Sequence, residues 1–231
     1  MGVDFRFAVC VFLVGALAGC SPAAPVAVAP SKPAEVAAVA KPDVAVSQGG
    51  NVYRSEGVGL TVTAPEGWYV ADEALMRKVM GLGLDIATTD MEGGTKAAMK
   101  AGVQRVGTVF YFVERAPGAP GDPPGSIMSV AEDVSILPGI KRGTDYFFNM
   151  RRTLTQMPIQ TEIADTYAQR MIGGQSFDRM DVTMHMSGMT IMQRHFAARH
   201  GDRIVMFSQL YQTPVQLAAL DAVLDSVKLD W

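Results

Sequence analysis

The chain has 231 residues, a formal charge of -3 and a hydrophobic share of 48%. That share excludes disorder of the whole chain, and a mildly acidic balance without a basic run argues against a nucleic-acid partner. Its thiols are Cys10 and Cys20 alone.

The apolar run 7–17 has the length of a signal-peptide core and falls short of the roughly 20 residues that span a bilayer. It ends in Leu17-Ala18-Gly19-Cys20, and the sequence turns Ser-Pro-Ala-rich immediately afterwards. This junction resembles the bacterial lipobox. The resemblance implies removal of residues 1–19 as a lipoprotein signal peptide, a diacylglyceryl thioether on Cys20 and usually a third acyl chain on its new amine. Two or more chains hold a protein on a membrane durably, where one does not. Ser21 resembles an outer-membrane sorting signal, where Asp favours retention at the inner membrane, so the expected address is the periplasmic face of the outer membrane. The n-region MGVDFR departs from the usual pattern, since Arg6 is partly offset by Asp4. Myristoylation at Gly2 fails because position 6 is Arg. With Cys10 removed and Cys20 acylated, the mature chain has no thiol for a disulfide, a redox pair, a thiolate metal site or a nucleophile.

Residues 20–50 read as the lipidated cysteine and an Ala/Pro-rich linker, with Pro22, Pro25, Pro30, Pro33 and Pro42 breaking any period. Fully polyproline-like, about 30 such residues reach on the order of 90 Å, and much less as a coil. Residues 51–231 then read as a single domain, long enough to bury a substantial core.

In that domain a short first strand turns at Glu56-Gly57, and Leu60, Val62 and Ala64 alternate with threonines as a half-buried strand. A helix follows from Asp72, with Leu75, Val79 and Leu82 at helical spacing, and Glu92–Ala101 reads as a second short one. Thr108–Glu114 and Ile127–Ile136 are strands around the loop APGAPGDPPG. Thr144–Met157 is a helix with Phe147, Met150 and Leu154 inward. Four β runs come next: Glu162–Met171, Ser176–Met186, Thr190–Arg199 and Arg203–Tyr211. Turns at Gly173-Gly174, Ser187-Gly188 and Gly201-Asp202 make them a meander of antiparallel hairpins. Thr213, Pro214 and Gln216 spell an N-cap, a first helical position and a capping box, ahead of the stripe Leu217, Leu220, Val223 and Leu224. The chain ends in a strand at 227–231. Strands outnumber helices and do not alternate with them, so the fold class is α+β with a largely antiparallel β-sheet flanked by helices.

Several patterns together carry a resemblance. They are the hairpin closing on Ala64-Pro65-Glu66-Gly67-Trp68, the Gly173-Gly174 turn, the strand Gly201-Asp202-Arg203-Ile204-Val205-Met206-Phe207 and the terminal Leu224-Asp225-Ser226-Val227-Lys228-Leu229. They resemble the PsbP-like αβα sandwich, a family that includes bacterial lipoproteins of the DcrB type, and they cover most of residues 51–231. The resemblance implies binding of partners or assistance to assemblies, and it carries no shared catalytic residue.

No G-x-S-x-G, P-loop or H-E-x-x-H occurs, and Gly173-Gly174-Gln175-Ser176 lacks the closing glycine of a nucleophile turn. The stretch MDVTMHMSGMTIMQRH invites a copper reading, because thioether and imidazole suit Cu(I). With a two-residue turn, however, Met186 faces Met189, Met184 faces Ile191 and Met180 faces His195, all on one face with Val182. His185 falls on the other face, near Thr183 and Thr190. That pattern predicts a core with gap-filling methionines rather than a metal site. Asp181 falls opposite Arg194, on a face expected to be solvated, and Arg151-Arg152 is expected to face solvent.

The expectation is a non-enzymatic, periplasm-facing lipoprotein with no cofactor, no metal and no catalytic residue. It is held on the membrane by its lipid anchor and binds a partner protein or assists an envelope assembly. The alternative is a small-ligand or copper-binding lipoprotein; a hydrolase without a recognisable signature comes third.

Overall fold

The computed structural model describes residues 44–46, 51–87, 103, 105–157, 159–186 and 188–231. Its framework is a run of long strands: β5 (Val106–Val113), β6 (Ser126–Asp133), β9 (Gln175–Met186), β10 (Met189–His200) and β11 (Arg203–Tyr211). With β4 (Tyr69–Val70), β7 (Gln160–Ile163) and β8 (Ala168–Ile172) they form an eight-stranded sheet in the order β4-β5-β6-β11-β10-β9-β7, with β8 also on β9. A four-stranded sheet has the order β1 (Val44–Val46), β2 (Val52–Ser55), β3 (Leu60–Thr63), β12 (Lys228–Leu229). The described strand pairs are antiparallel throughout. The described helices are α1 (Glu73–Ala87), α2 (Gly143–Gln156) and α3 (Pro214–Asp225). The class is therefore α+β, as expected from the element order. Among the described residues no helix is long and apolar enough to cross a membrane.

Side-chain alternation divides the interior into two cores, one on each face of the large sheet. Met180, Val182, Met184, Ile191, Ala197, Ile204, Met206 and Leu210 point to the face covered by α1 and α2, where they meet Val79, Phe147, Met150 and Leu154. Phe177, Phe196, Ala198, Val205 and Phe207 point to the other face, against Leu60 and Val62 of the small sheet and Leu220, Val223 and Leu224 of α3. Strand β11 is buried on both sides for nearly its whole length, which explains its near-continuous apolar sequence RIVMFSQLY.

Local chemistry sets the boundaries. Gly173 and Gly174 both have positive φ, 56° and 83°, so the β8–β9 hairpin has the tight turn that an adjacent glycine pair permits. The α2 N-terminus docks on β9, where the Asp178 carboxylate accepts from the Thr144 amide at 2.8 Å. In α3 the capping box is formed as read: the Gln216 amide donates to Thr213 Oγ1 at 3.2 Å, and the Thr213 amide donates to Gln216 Oε1 at 3.2 Å.

Some expectations are corrected. The run Glu162–Met171 is two strands rather than one. β7 and β8 pair with successive stretches of β9, and 164–167 bulges out between them. Within that excursion Tyr167 packs on α2, its ring 5.7 Å from that of Phe147 and tilted by 32° to it. The linker reading is refined as well: Val44–Val46, inside the Ala/Pro-rich stretch, pairs with β2. Glu92–Ala101 and Ser187 lie outside the described residues, as does the side chain of Leu82.

The cap is a sharp place to test the fold. Thr213→Ala leaves the Gln216 amide without its side-chain acceptor and should cost roughly 0.5–2 kcal/mol. A urea titration should show an earlier midpoint with an unchanged slope.

Candidate functional site

The Met/His hairpin has the register read from its turn. Met189 pairs with Met186, Ile191 with Met184, Arg194 with Asp181 and His195 with Met180. Met180 and Met184 are fully buried, so they serve as core. The side chain of Met186 lies outside the described residues. On the other face, His185 is part-exposed, with Nδ1 3.2 Å from Thr190 Oγ1 and Nε2 3.3 Å from Glu162.

What the hairpin also carries is a buried polar chain. His195 Nδ1 lies 2.9 Å from Ser208 Oγ, its Nε2 lies 2.8 Å from Gln193 Oε1, and Gln193 Nε2 donates to the Met184 sulfur. A carbonyl oxygen can only accept, so Nε2 must hold the proton and Nδ1 must accept from the serine. Burial pushes the His195 pKa down to about 3, so the ring is neutral throughout the physiological range. With both nitrogens engaged, a metal could bind it only by displacing Ser208 or Gln193. A histidine this weak as a base, with no exposed surface, also fits poorly with proton transfer at neutral pH.

A second buried group lies on the same face. Tyr146 donates its hydroxyl to Glu132 at 2.7 Å, and Arg105 stands 3.6 Å from the other carboxylate oxygen. Burial first, and the glutamate charge second, push the Tyr146 pKa well above its ordinary value. This arrangement compensates charge inside a core and holds α2 on β6.

On the opposite face, the expectation that Asp181 and Arg194 are solvated is corrected. They belong to a half-buried network beneath α3. Arg170 donates to Asp221 and, at 2.7 Å, to Asp225; Arg194 lies 3.6 Å from Asp221; Arg179 reaches Asp181 at 2.7 Å. Gln209 adds a bond to Asp221 at 3.1 Å. Three arginines face three aspartates, so the network is balanced in charge, and Arg194, 4.0 Å from Asp181, links its two halves. Arg152 is exposed as expected, whereas Arg151 donates to the Ala164 carbonyl and lies over Tyr167.

A concave site lies elsewhere. A cavity of about 90 Å³ lies between α1 and the 115–124 loop, floored by Tyr111, Val113, Ile191 and Leu210 and walled by Leu75 and Val79. Its charged lining residues are Arg115 and Asp122, both in the loop. Sequence reading treated that loop as a connector. Its four prolines and the helical spacing of Leu75 and Val79 were both visible, but their meeting over the sheet was not. Ser176, the nearest candidate for a nucleophile, is an exposed strand residue paired with Met171, and Cys20 lies outside the described residues.

The neutral histidine has a signature in pH. Below the ordinary value of about 6.5 the unfolded chain binds a proton at His195 that the folded chain refuses until about pH 3. Stability should therefore fall as pH drops through that window, by up to about 1.4 kcal/mol per unit from this residue. His195→Asn should be less stable at pH 7 but should decline less steeply towards pH 4, which urea midpoints across that range will show.

No family model and no curated protein matches this chain. Among solved structures it is similar to the cyanobacterial PsbP (CyanoP) of Synechocystis sp. PCC 6803, at 12% identity over 80% of this chain and 97% of that one, with a TM-score of 0.49. It is also similar to LpqN of Mycobacterium tuberculosis, a protein described as involved in cell envelope biogenesis. That match has 12% identity, covers 74% of this chain and 82% of the other, and has a TM-score of 0.42.

Proposed function

We propose that this protein is a bacterial envelope lipoprotein, anchored through acylated Cys20 at the periplasmic face of the outer membrane. Its PsbP-like domain, of the DcrB type, binds a partner protein or assists an assembly there without catalysing a reaction. The address rests on the lipobox at Leu17–Cys20 and the proline-rich tether behind it. The observation that carries the non-enzymatic reading is the state of His195. The buried imidazole is sealed from solvent, held neutral and bonded at both nitrogens. The charges beneath α3 likewise engage one another.

A second reading, a small-ligand lipoprotein, is favoured by the apolar cavity under the 115–124 loop. The copper version of that reading has less support, because Met180 and Met184 are packed in the core and His195 has no free nitrogen.

Two experiments test the proposal. Cys20→Ser should abolish incorporation of labelled fatty acid and leave an unprocessed or soluble form, whereas label retained by the variant would remove the anchor. In-cell cross-linking of the wild-type protein, followed by identification of the products, should return one recurrent envelope protein; a reproducible product with a low-molecular-weight metabolite instead would favour the ligand reading.

The domain boundary is open to a separate check. Limited proteolysis of the mature chain should trim it to a stable core that begins near residue 44 and keeps β1, because β1 is the first paired segment among the described residues. Early cleavage inside 175–211 would contradict the hairpin core.

A further inference from the structure

We infer that the cavity between α1 and the 115–124 loop binds the chain of an unbranched aliphatic carboxylic acid, with its carboxylate at Arg115. This goes beyond the partner-protein proposal and deepens the small-ligand reading, on which it rests.

The lining selects the body of the ligand. Leu75 and Val79 of α1 face Val113, Ile191 and Leu210 of the sheet, all aliphatic. The polar groups of the floor are already matched, since the Tyr111 hydroxyl is hydrogen-bonded to Ser126, and burial pushes the tyrosine pKa up to about 12. The floor thus offers contact area and no free charge. The volume, about 90 Å³, is smaller than the cavity of about 150 Å³ known to admit benzene, so a chain end fits better than a ring.

The roof selects the head. Arg115 bonds the main-chain carbonyl of Asp122 on its own loop, and no carboxylate among the described residues pairs with it. Asp122 shares the rim, but the guanidinium keeps further donors in a planar fork that matches a carboxylate. Gly121 makes this posture possible: with φ of 115°, a Cβ there would stand 3.0 Å from the Arg115 Nη1 atom. Pro117, Pro120, Pro123 and Pro124 limit the freedom the loop loses on closing over a ligand. Its far end is fixed, since Gln216 of α3 donates to the Pro123 carbonyl at 3.0 Å. An arginine fork on a proline-restricted rim, above an aliphatic floor, suits an amphiphile with one chain and one negative charge.

The test uses the mature acylated chain in phosphatidylcholine nanodiscs, methyl-labelled at Ile, Leu and Val and titrated with hexanoate. Saturable shifts are expected at Val79, Ile191 and Leu210, with none at Leu220 and Val223 across the sheet. Arg115→Gln should weaken hexanoate about tenfold, the worth of one charge-assisted contact, and leave hexanol unchanged. Shifts that rise linearly without saturating, or that appear equally on both faces, would overturn the site. An Arg115→Gln variant that binds hexanoate like the wild type would overturn the assignment of the head group. Either failure leaves the lipid-label and cross-linking results standing, so the partner proposal is judged separately.

Discussion

Strands β6 and β11 and the 195–198 stretch of β10 are buried on both faces, and the remaining elements are placed by the need to cover them. An antiparallel sheet commonly leaves one face wet, but here Phe196 and Phe207 point one way while Ala197 and Met206 point the other, all nearly or fully buried. At about 25 cal/mol per Å² of apolar surface, leaving either face open would cost more than the net stability of an ordinary domain. Among the described residues, α1 and α2 cover one face. The other is shared between α3 and the small sheet, with β12 at its edge. Trp231 completes that cover by donating its indole N–H to the Val58 carbonyl at 2.8 Å and stacking on His200.

A doubly covered sheet raises the cost of every polar group left in it, and the observed pairings follow. His195, Gln193 and Ser208 are fully or almost fully buried and satisfy one another in a single line. Glu132, buried with Tyr146 and Arg105, is compensated by a hydroxyl and a guanidinium. Beneath α3 the charges keep partial access to water, so Arg170, Asp221 and Asp225 are cheaper to hold there than a fully buried pair would be. Pairs of this kind fix how an element sits more than how strongly it is held. The α3 network specifies the placement of that helix against β8–β11.

Which parts were legible in the sequence follows from the range of the interactions that form them. The β9–β10 register was readable because a two-residue turn sets it and the Met/Val/Ile alternation agrees. The α3 cap was readable because Thr213, Pro214 and Gln216 act within one turn. The break between β7 and β8 was not, since the stretch between them makes its contact, Tyr167 on Phe147, with another element. The solvated reading of Asp181 and Arg194 failed for the same reason: Asp221 lies 27 residues from Arg194 and reaches it only once α3 folds back. The cavity was hidden similarly, its walls being contributed by α1, β5, β10, β11 and a loop that looked like a connector.

The contrast between the closed polar interior and the open loop site has a physical consequence. Groups such as His195 and Glu132 cannot exchange partners without opening a core packed on both sides, so they set stability and register rather than respond to a ligand. The 115–124 loop is differently placed. Its residues 115–122 are exposed, its bonds to the body run through Glu114 and Gln216 at its base, and it covers an apolar floor that remains incompletely filled. A change there need not disturb either core, since the base of the loop already holds its ends. Differential contact with a ligand or a partner is therefore available at low cost where α1 and this loop meet over β5, and that is where the fold leaves room for recognition.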